Sequence, residues 1–459
     1  MTNGIPSVSE KIASYYVNAN QDDIPDDVMF HAKECVLDYF GCAIGGADLE
    51  TTKIVKNAMI REEDGGKCAV FNNGKASADK AAFINGVSLH GLEMDDSNTS
   101  AGGHPAGPVI SAALAVAEES NATGLELLRS IVWGYDMMVR VCRGAIIDSS
   151  NERGWHPTAI YGIFGATVAV CYLKKMDAKQ ISNALGIACG FAAGNLECFA
   201  DNSFTKRINP GHAAMAAITA ARLAECGYIG PRWIFEGDHG FLRMYSDEYY
   251  PERMIDNLDY SEYPIMYTAF KPYPSCRFTH SSIDGVLKIK KENDVKADDI
   301  GKITIDTVSM AIRAVVEPRE KKYNPENIPG AQFSLPYTVA CAALFDAVSV
   351  EQFTEELLVD KEVKEMMNRV EMIYTKEMDQ YLPTMFAAKV IIYTKDGKEF
   401  SEVVTFTKGD PELPLTAIEL KEKYLSLAKL TMDEQKALTI YDKIQELESI
   451  SVRELTALI

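Results

Sequence analysis

Positive charge is the scarcer sign in this chain: 46 Lys and Arg stand against 66 Asp and Glu, a formal net charge of −20. A phosphate backbone would meet a repulsive field unless one face were strongly basic. Lys174-Lys175, Lys288 to Lys291 and Lys321-Lys322 are short runs with acids nearby, so a nucleic-acid partner is excluded. Long hydrophobic runs are missing too. The longest, Ala159 to Leu173, falls short of the roughly 20 residues a membrane span needs, and it reads as a buried core helix. The opening "MTNGIPSVSEKIASYY" has no basic stretch leading into an apolar one, so no secretory leader and no membrane partner are expected, and the location expected is cytoplasmic. The ten cysteines are scattered without Cys-x-x-Cys spacing, which argues against a disulfide scaffold or a metal centre and for reduced, buried thiols. No Walker or dinucleotide fingerprint occurs, so ATP, NAD and flavin are not expected.

What is present is enough apolar residue, 47% of 459, to bury a large core in two domains. Nearly everything to about residue 265 has helical periodicity. "DDVMFHAKECVLDYFGCAIGG" and "ADKAAFINGVSLHGLEMDD" place apolar residues at three-and-four spacing, and the Ala/Gly-rich "HAAMAAITAARLAECG" allows close helix–helix approach. From about 270 to 408 the texture turns β-branched and aromatic. "GKITIDTVSMAI", "VEMIYT" and "AKVIIYTKDGKEFSEVVTFT" read as strands, the last a hairpin turning at Asp396-Gly397. Two helical stretches lie between them. The tail from Pro414 is amphipathic and helical again. The fold class expected is mainly α with an α+β lid: an all-α helical domain over 1–268 and 409–459, with a smaller α/β lid domain inserted at 269–408.

Two apolar helices open on a His-Pro step, His104-Pro105 and His156-Pro157, and Pro210-Gly211-His212 approximates a third. A helix N-terminus carries unpaired N–H groups and the positive end of the dipole, and Pro is pre-set for its first position. A histidine there would sit beside a bound anion as base or acid. Charged groups stand nearby: Glu93, Asp95, Asp96 and Ser97 ahead of His104, Lys206 and Arg207 ahead of His212, and Lys271 and Arg277 at the start of the lid, with Cys276 between them. Acids beside a histidine suit proton transfer, and Lys or Arg in Gly/Pro-rich turns suits carboxylate binding.

"GWHPTAIYGIFGA", "SFTKRINPGHAA", "KPYPSCRFTH" and "AQFSLPY", in this order, resemble the MmgE/PrpD family over essentially the whole chain. That family includes 2-methylcitrate dehydratases, cis-aconitate decarboxylases and an iminodisuccinate epimerase. The resemblance implies a helical domain closed by the tail, an α/β lid, a homodimer, and chemistry on small di- or tricarboxylates with no metal or organic cofactor. Carried over by residue, the acidic motif falls on Glu93, Asp95, Asp96 and Ser97, the His-Pro histidines on His104 and His156, and the lysines on Lys206 and Lys271. The chain departs from the decarboxylase pattern at Glu93 and Ser97, where that pattern has Asp and Thr, and its spacing to His104 is about one residue longer. It has Cys276 where a histidine is expected and Ile312 where a tyrosine is.

Dehydrating a β-hydroxy polycarboxylate, or epimerising its α-carbon, means removing a weakly acidic C–H beside a carboxylate, so fixed cations and dipoles must hold the developing charge. Lys206, Lys271, Arg207 and Arg277 are the cations offered. His156 is assigned as base and His104 as acid, with Asp95 tuning one of them, and the reverse assignment stays open. The activity expected is a hydro-lyase of the 2-methylcitrate dehydratase type. A cis-aconitate decarboxylase, an epimerase, or a carboxylate-binding protein without turnover are the alternatives.

Overall fold

A computed structural model describes residues 5–61, 65–72, 74–146, 150, 153–201, 203–382 and 384–459, the side chains of Ala200 and Asp201 excepted. It is 60% helical, with sheets of two to four strands.

The buried apolar residues separate into two cores. One runs from Val8 to Phe270 and is completed by Leu420 to Leu455 from the tail. The other lies wholly between Ile283 and Ile392. The tail helix Ala417–Ala428 packs on the long helix Asp26–Gly46, and its Lys423 donates 2.7 Å to the carbonyl of Met94. The chain leaves the first core and returns to it at adjacent points, where the Phe270 amide donates to the Gly409 carbonyl at 3.0 Å.

In the second unit a four-stranded sheet has the order Val370–Ile373, Ile300–Thr307, Ala388–Thr394, Glu399–Val404. The first pair is parallel and the others antiparallel. The last two strands form the hairpin foreseen at Asp396-Gly397, with Gly397 at φ 86°, a conformation glycine adopts freely. Helix His280–Asn293 covers the hairpin, and Leu335–Phe345 packs behind that helix.

The helical part is not purely α. Strands Cys68–Val70 and Gly74–Ala76 pair with each other, and Ser97–Asn98 pairs antiparallel with Thr268–Ala269. The second pair has a consequence for the site: it fastens the segment after the acidic motif to the segment that leads into Lys271. The apolar run 159–173 is also two helices, Pro157–Ile160 and Gly162–Leu173, meeting at Tyr161. Pro210 lies inside helix Thr205–Glu225 rather than at its start, which moves His212 off any helix end. Among the described residues no helix is long and apolar enough to cross a membrane.

Candidate active site

The site is assembled where helix Ala78–His90 passes helix Thr205–Glu225. The two can touch because both are glycine at the crossing. A Cβ on Gly86 would lie 2.7 Å from Gly211 Cα, and one on Gly211 would lie 2.2 Å from the Phe83 carbonyl oxygen, closer than packing permits. This approach brings the end of the first helix, His90, against the first turn of the second, Lys206. After His90 the chain turns through Glu93 at φ 55°, an uncommon conformation for a residue with a Cβ. Glu93, Asp95 and Asp96 are all buried beyond that turn.

The Lys206 ammonium has three protons and uses them all: 2.7 Å to Glu93 Oε1, 2.9 Å to Glu93 Oε2 and 2.7 Å to His90 Nε2. Accepting at Nε2 leaves the His90 proton on Nδ1, which lies 2.7 Å from Asp95 Oδ2. Lys271 donates 3.2 Å to the Glu93 carbonyl and stands 3.6 Å from both Glu93 Oε2 and Asp95 Oδ1. Two buried cations thus face two buried carboxylates. Burial alone would raise Glu93, but the Lys206 and Lys271 ammonium groups outweigh it and hold the carboxyl at about 2. Asp95 is likewise held below the usual carboxylate range: His90, which is hydrogen-bonded to it, and Lys271 overcome its burial. Burial lowers Lys271 but the two carboxylates raise it further, so it stays charged.

The two His-Pro histidines carry opposite tautomers. His104 Nδ1 points at the Asp96 backbone carbonyl, which can only accept, so the proton is on Nδ1 and Nε2 keeps its lone pair. His156 Nδ1 faces the Asn209 amide nitrogen at 3.0 Å. That amide also donates to the Asn195 carbonyl at 3.3 Å, which fixes its nitrogen toward both groups. His156 Nδ1 therefore accepts, and its proton is on Nε2. Burial, aided by the Lys271 ammonium, brings His104 down to about 3. Burial and Lys206 take His156 well below 6.5. Both rings are neutral at physiological pH.

These groups border a cavity of about 690 Å³ between the two units, lined by Glu93, Ser97, His104, His156, Lys206, Lys271, Cys276 and Arg277 among others. Three expectations change. Asp96 is not on the cavity wall: it accepts from the Ala106 amide at 3.1 Å and the Tyr135 hydroxyl at 2.8 Å. The helix end that seemed free for a substrate anion is thus occupied by the chain's own Asp96 side chain, its carboxyl pushed well above its ordinary value by burial. Arg207 also faces away, toward Gln332 at 3.0 Å and Thr51 at 3.4 Å. Arg277 reaches the cavity but is engaged by Thr407 and Asp410. Cys276 lines the wall with its thiol pushed up by burial, so it stands there as a thiol. Ile312 packs on the lid core while its neighbours Met310 and Arg313 line the cavity.

His90 was missed by sequence reasoning. It sits in no His-Pro step and ends a helix whose apolar face reads as core. Its distance of three residues from Glu93 was the available signal. Gln332, in "AQFSLPY", is the second omission. It donates 3.0 Å to the Leu92 carbonyl, accepts from Arg207, and its carbonyl takes the Cys276 amide at 2.9 Å, so it clasps the lid to the acidic loop. Among the described residues no group of three or more His, Cys, Asp or Glu side chains is arranged to hold a metal ion.

Residues 10–253 match the MmgE/PrpD N-terminal domain and residues 273–448 the MmgE/PrpD C-terminal domain. The cis-aconitate decarboxylase-like protein oryM of Aspergillus oryzae is 26% identical over 476 residues, covering 99% of this chain and 97% of the relative. The cis-aconitate decarboxylase of Aspergillus terreus is 26% identical over 469 residues, covering 98% and 95%. That of Homo sapiens is 26% identical over 464 residues, covering 98% and 94%.

Proposed function

The chain belongs to the MmgE/PrpD family, and from that premise we propose that it is a cofactor-independent hydro-lyase acting on a small di- or tricarboxylate by proton abstraction beside a carboxylate. One observation carries the reading: two neutral histidines of opposite tautomer face one cavity above a pair of buried lysines.

The tautomers favour the reverse of the two assignments left open by the sequence. His104, with Nε2 unprotonated, is the base, and His156, with Nε2–H, is the hydrogen-bond donor to the departing hydroxyl. A substrate carboxylate against Lys271 and Lys206 places its α C–H within reach of His104. As that bond breaks, its electron pair moves onto the neighbouring carboxylate, where the two ammonium groups hold the developing charge. The imidazolium formed at His104 is stabilised by Asp95 Oδ2, 3.8 Å away. The electron pair then forms the C=C bond as the C–O bond breaks, and the hydroxide, held by His156 Nε2–H, takes the proton from His104 and leaves as water. Asp95 and His90 are positioning residues, since neither borders the cavity.

Decarboxylation is the second reading, and the names of the relatives favour it. It needs a proton donor at the carbon left by CO₂, a role open to the Lys206 and Lys271 ammonium groups and to His156 Nε2–H, all of which border the cavity. Incubation in D₂O with citrate, 2-methylcitrate, cis-aconitate and iminodisuccinate-type acids, read by mass spectrometry, separates the readings. Gain or loss of water supports the hydro-lyase. CO₂ release from cis-aconitate overturns it, and solvent label in an otherwise unchanged acid indicates an epimerase.

A further inference from the structure

The floor and the roof of the cavity differ in chemistry. The floor carries Lys206, Lys271, Glu93, His104 and His156, all from the first core or the chain leading out of it. Much of the roof is hydrocarbon and sulfur: Phe278, Met310, Phe333, Met385 and Phe386 come from the lid, and Phe199 joins them from below. Phe278 and Phe386 pack as a pair with ring centres 4.6 Å apart, and Phe199 and Phe333 as another at 4.9 Å. Of the polar side chains on the same wall, Arg277 is engaged by Thr407 and Asp410, Arg313 has a partner of its own, and Glu412 borders the edge.

The volume is the second observation. A bare tricarboxylate of about 13 non-hydrogen atoms fills roughly 260 Å³ at protein packing density, well under half of the 690 Å³ present. The remaining space is bounded by the two aromatic pairs, and an apolar wall recognises an apolar group.

We propose that the site takes a di- or tricarboxylate bearing a hydrocarbon substituent of several carbons, its carboxylates on the lysine floor and its alkyl or aryl group against the lid aromatics. This rests on the floor being a carboxylate site. An apolar roof whose task is only to exclude water would predict the opposite preference, because a long substituent would obstruct closure.

Binding, not turnover, tests it. Calorimetric titration of the intact protein with succinate and with methyl-, ethyl-, butyl- and hexylsuccinate is expected to show Kd falling by about fourfold per added methylene until the roof is filled. Met310→Asp is expected to abolish that gain. If succinate binds and the longer acids bind equally or more weakly, the substituent pocket is refuted while the carboxylate floor stands. If no member of the series binds, the floor reading fails, and the proposal with it.

Discussion

Replacing Lys206 by Met removes one charge and strands three acceptor atoms on two residues. The Glu93 carboxylate loses two hydrogen bonds, at 2.7 and 2.9 Å, and His90 Nε2 loses its donor at 2.7 Å. Lys271 remains 3.6 Å from Glu93 and compensates in part. Glu93 is held at about 2 against an ordinary 4.5, and at about 1.36 kcal/mol per pKa unit that difference is worth about 3 kcal/mol. Breaking a buried ion pair by removing one partner costs about 3–5 kcal/mol, and because Lys271 keeps its share of the Glu93 shift the lower end of that range is expected. The sign follows from linkage: a depressed carboxyl stabilises the fold above its ordinary pKa and loses that contribution as pH falls from 4.5 toward 2. The K206M deficit, read by urea unfolding, is therefore expected to be about 3 kcal/mol at pH 7 and much smaller at pH 3. Adding Glu93→Gln should return most of the stability at pH 7, because no buried anion is then left unpaired. It should not return activity, since Lys206 is also asked to hold developing charge, and kcat is expected to fall by roughly 10² or more in both variants. A single variant as stable as the parent, or a double variant no better than the single, would refute the ion-pair argument.

His104→Gln and His156→Gln are each expected to lower kcat by roughly 10² or more with thermal unfolding unchanged, and normal turnover by both would return these residues to a capping role. Because His104 is held at about 3 and His156 well below 6.5, the base is already unprotonated at pH 5. The profile of kcat/KM, corrected for substrate ionisation, should stay flat as pH falls through 6.5, and an acid limb there would contradict neutral histidines. Turnover should survive exhaustive iron and zinc chelation; loss on chelation with recovery on metal addition would reopen a metal mechanism. Gly211→Ala places a Cβ 2.2 Å from the Phe83 carbonyl, so the helices must part. Stability should fall by about 1–3 kcal/mol and kcat should fall with it, and a variant with full activity would show that the crossing does not set the His90–Lys206 contact.

Sequence reading reached what local chemistry writes and stopped where tertiary pairing begins. Helix Asp26–Gly46 coincides with the quoted apolar stretch, and the Asp396-Gly397 turn joins the two strands expected. Both follow from periodicity and turn chemistry. The pairing of Ser97–Asn98 with Thr268–Ala269 spans two short segments without β signature. Nothing local marks it, yet it carries Lys271 to the acidic motif. Asp96 shows the converse error: a carboxylate beside a helix start looks available to a substrate only until its donors, the Ala106 amide and the Tyr135 hydroxyl, are known.

The His-Pro repeat had a sound reason behind it and a different outcome. The expectation was of two helix ends offering N–H groups to an anion. In the fold the step does something else: it holds each ring against a backbone or amide partner that dictates which nitrogen keeps the proton. His104 faces a carbonyl and His156 faces an amide N–H, so nearly identical sequence contexts yield complementary chemistry. That distinction depends on Asp96 and Asn209, eight and fifty-three residues away along the chain. No reading of the motif alone assigns base and donor, because the tautomer of a neutral imidazole is set by the partner of its other nitrogen. The same argument explains why His90 matters without touching the cavity. Its Nε2 can accept from Lys206 only while Asp95 takes the proton on Nδ1, so the carboxylate behind the ring orients the ammonium in front of it.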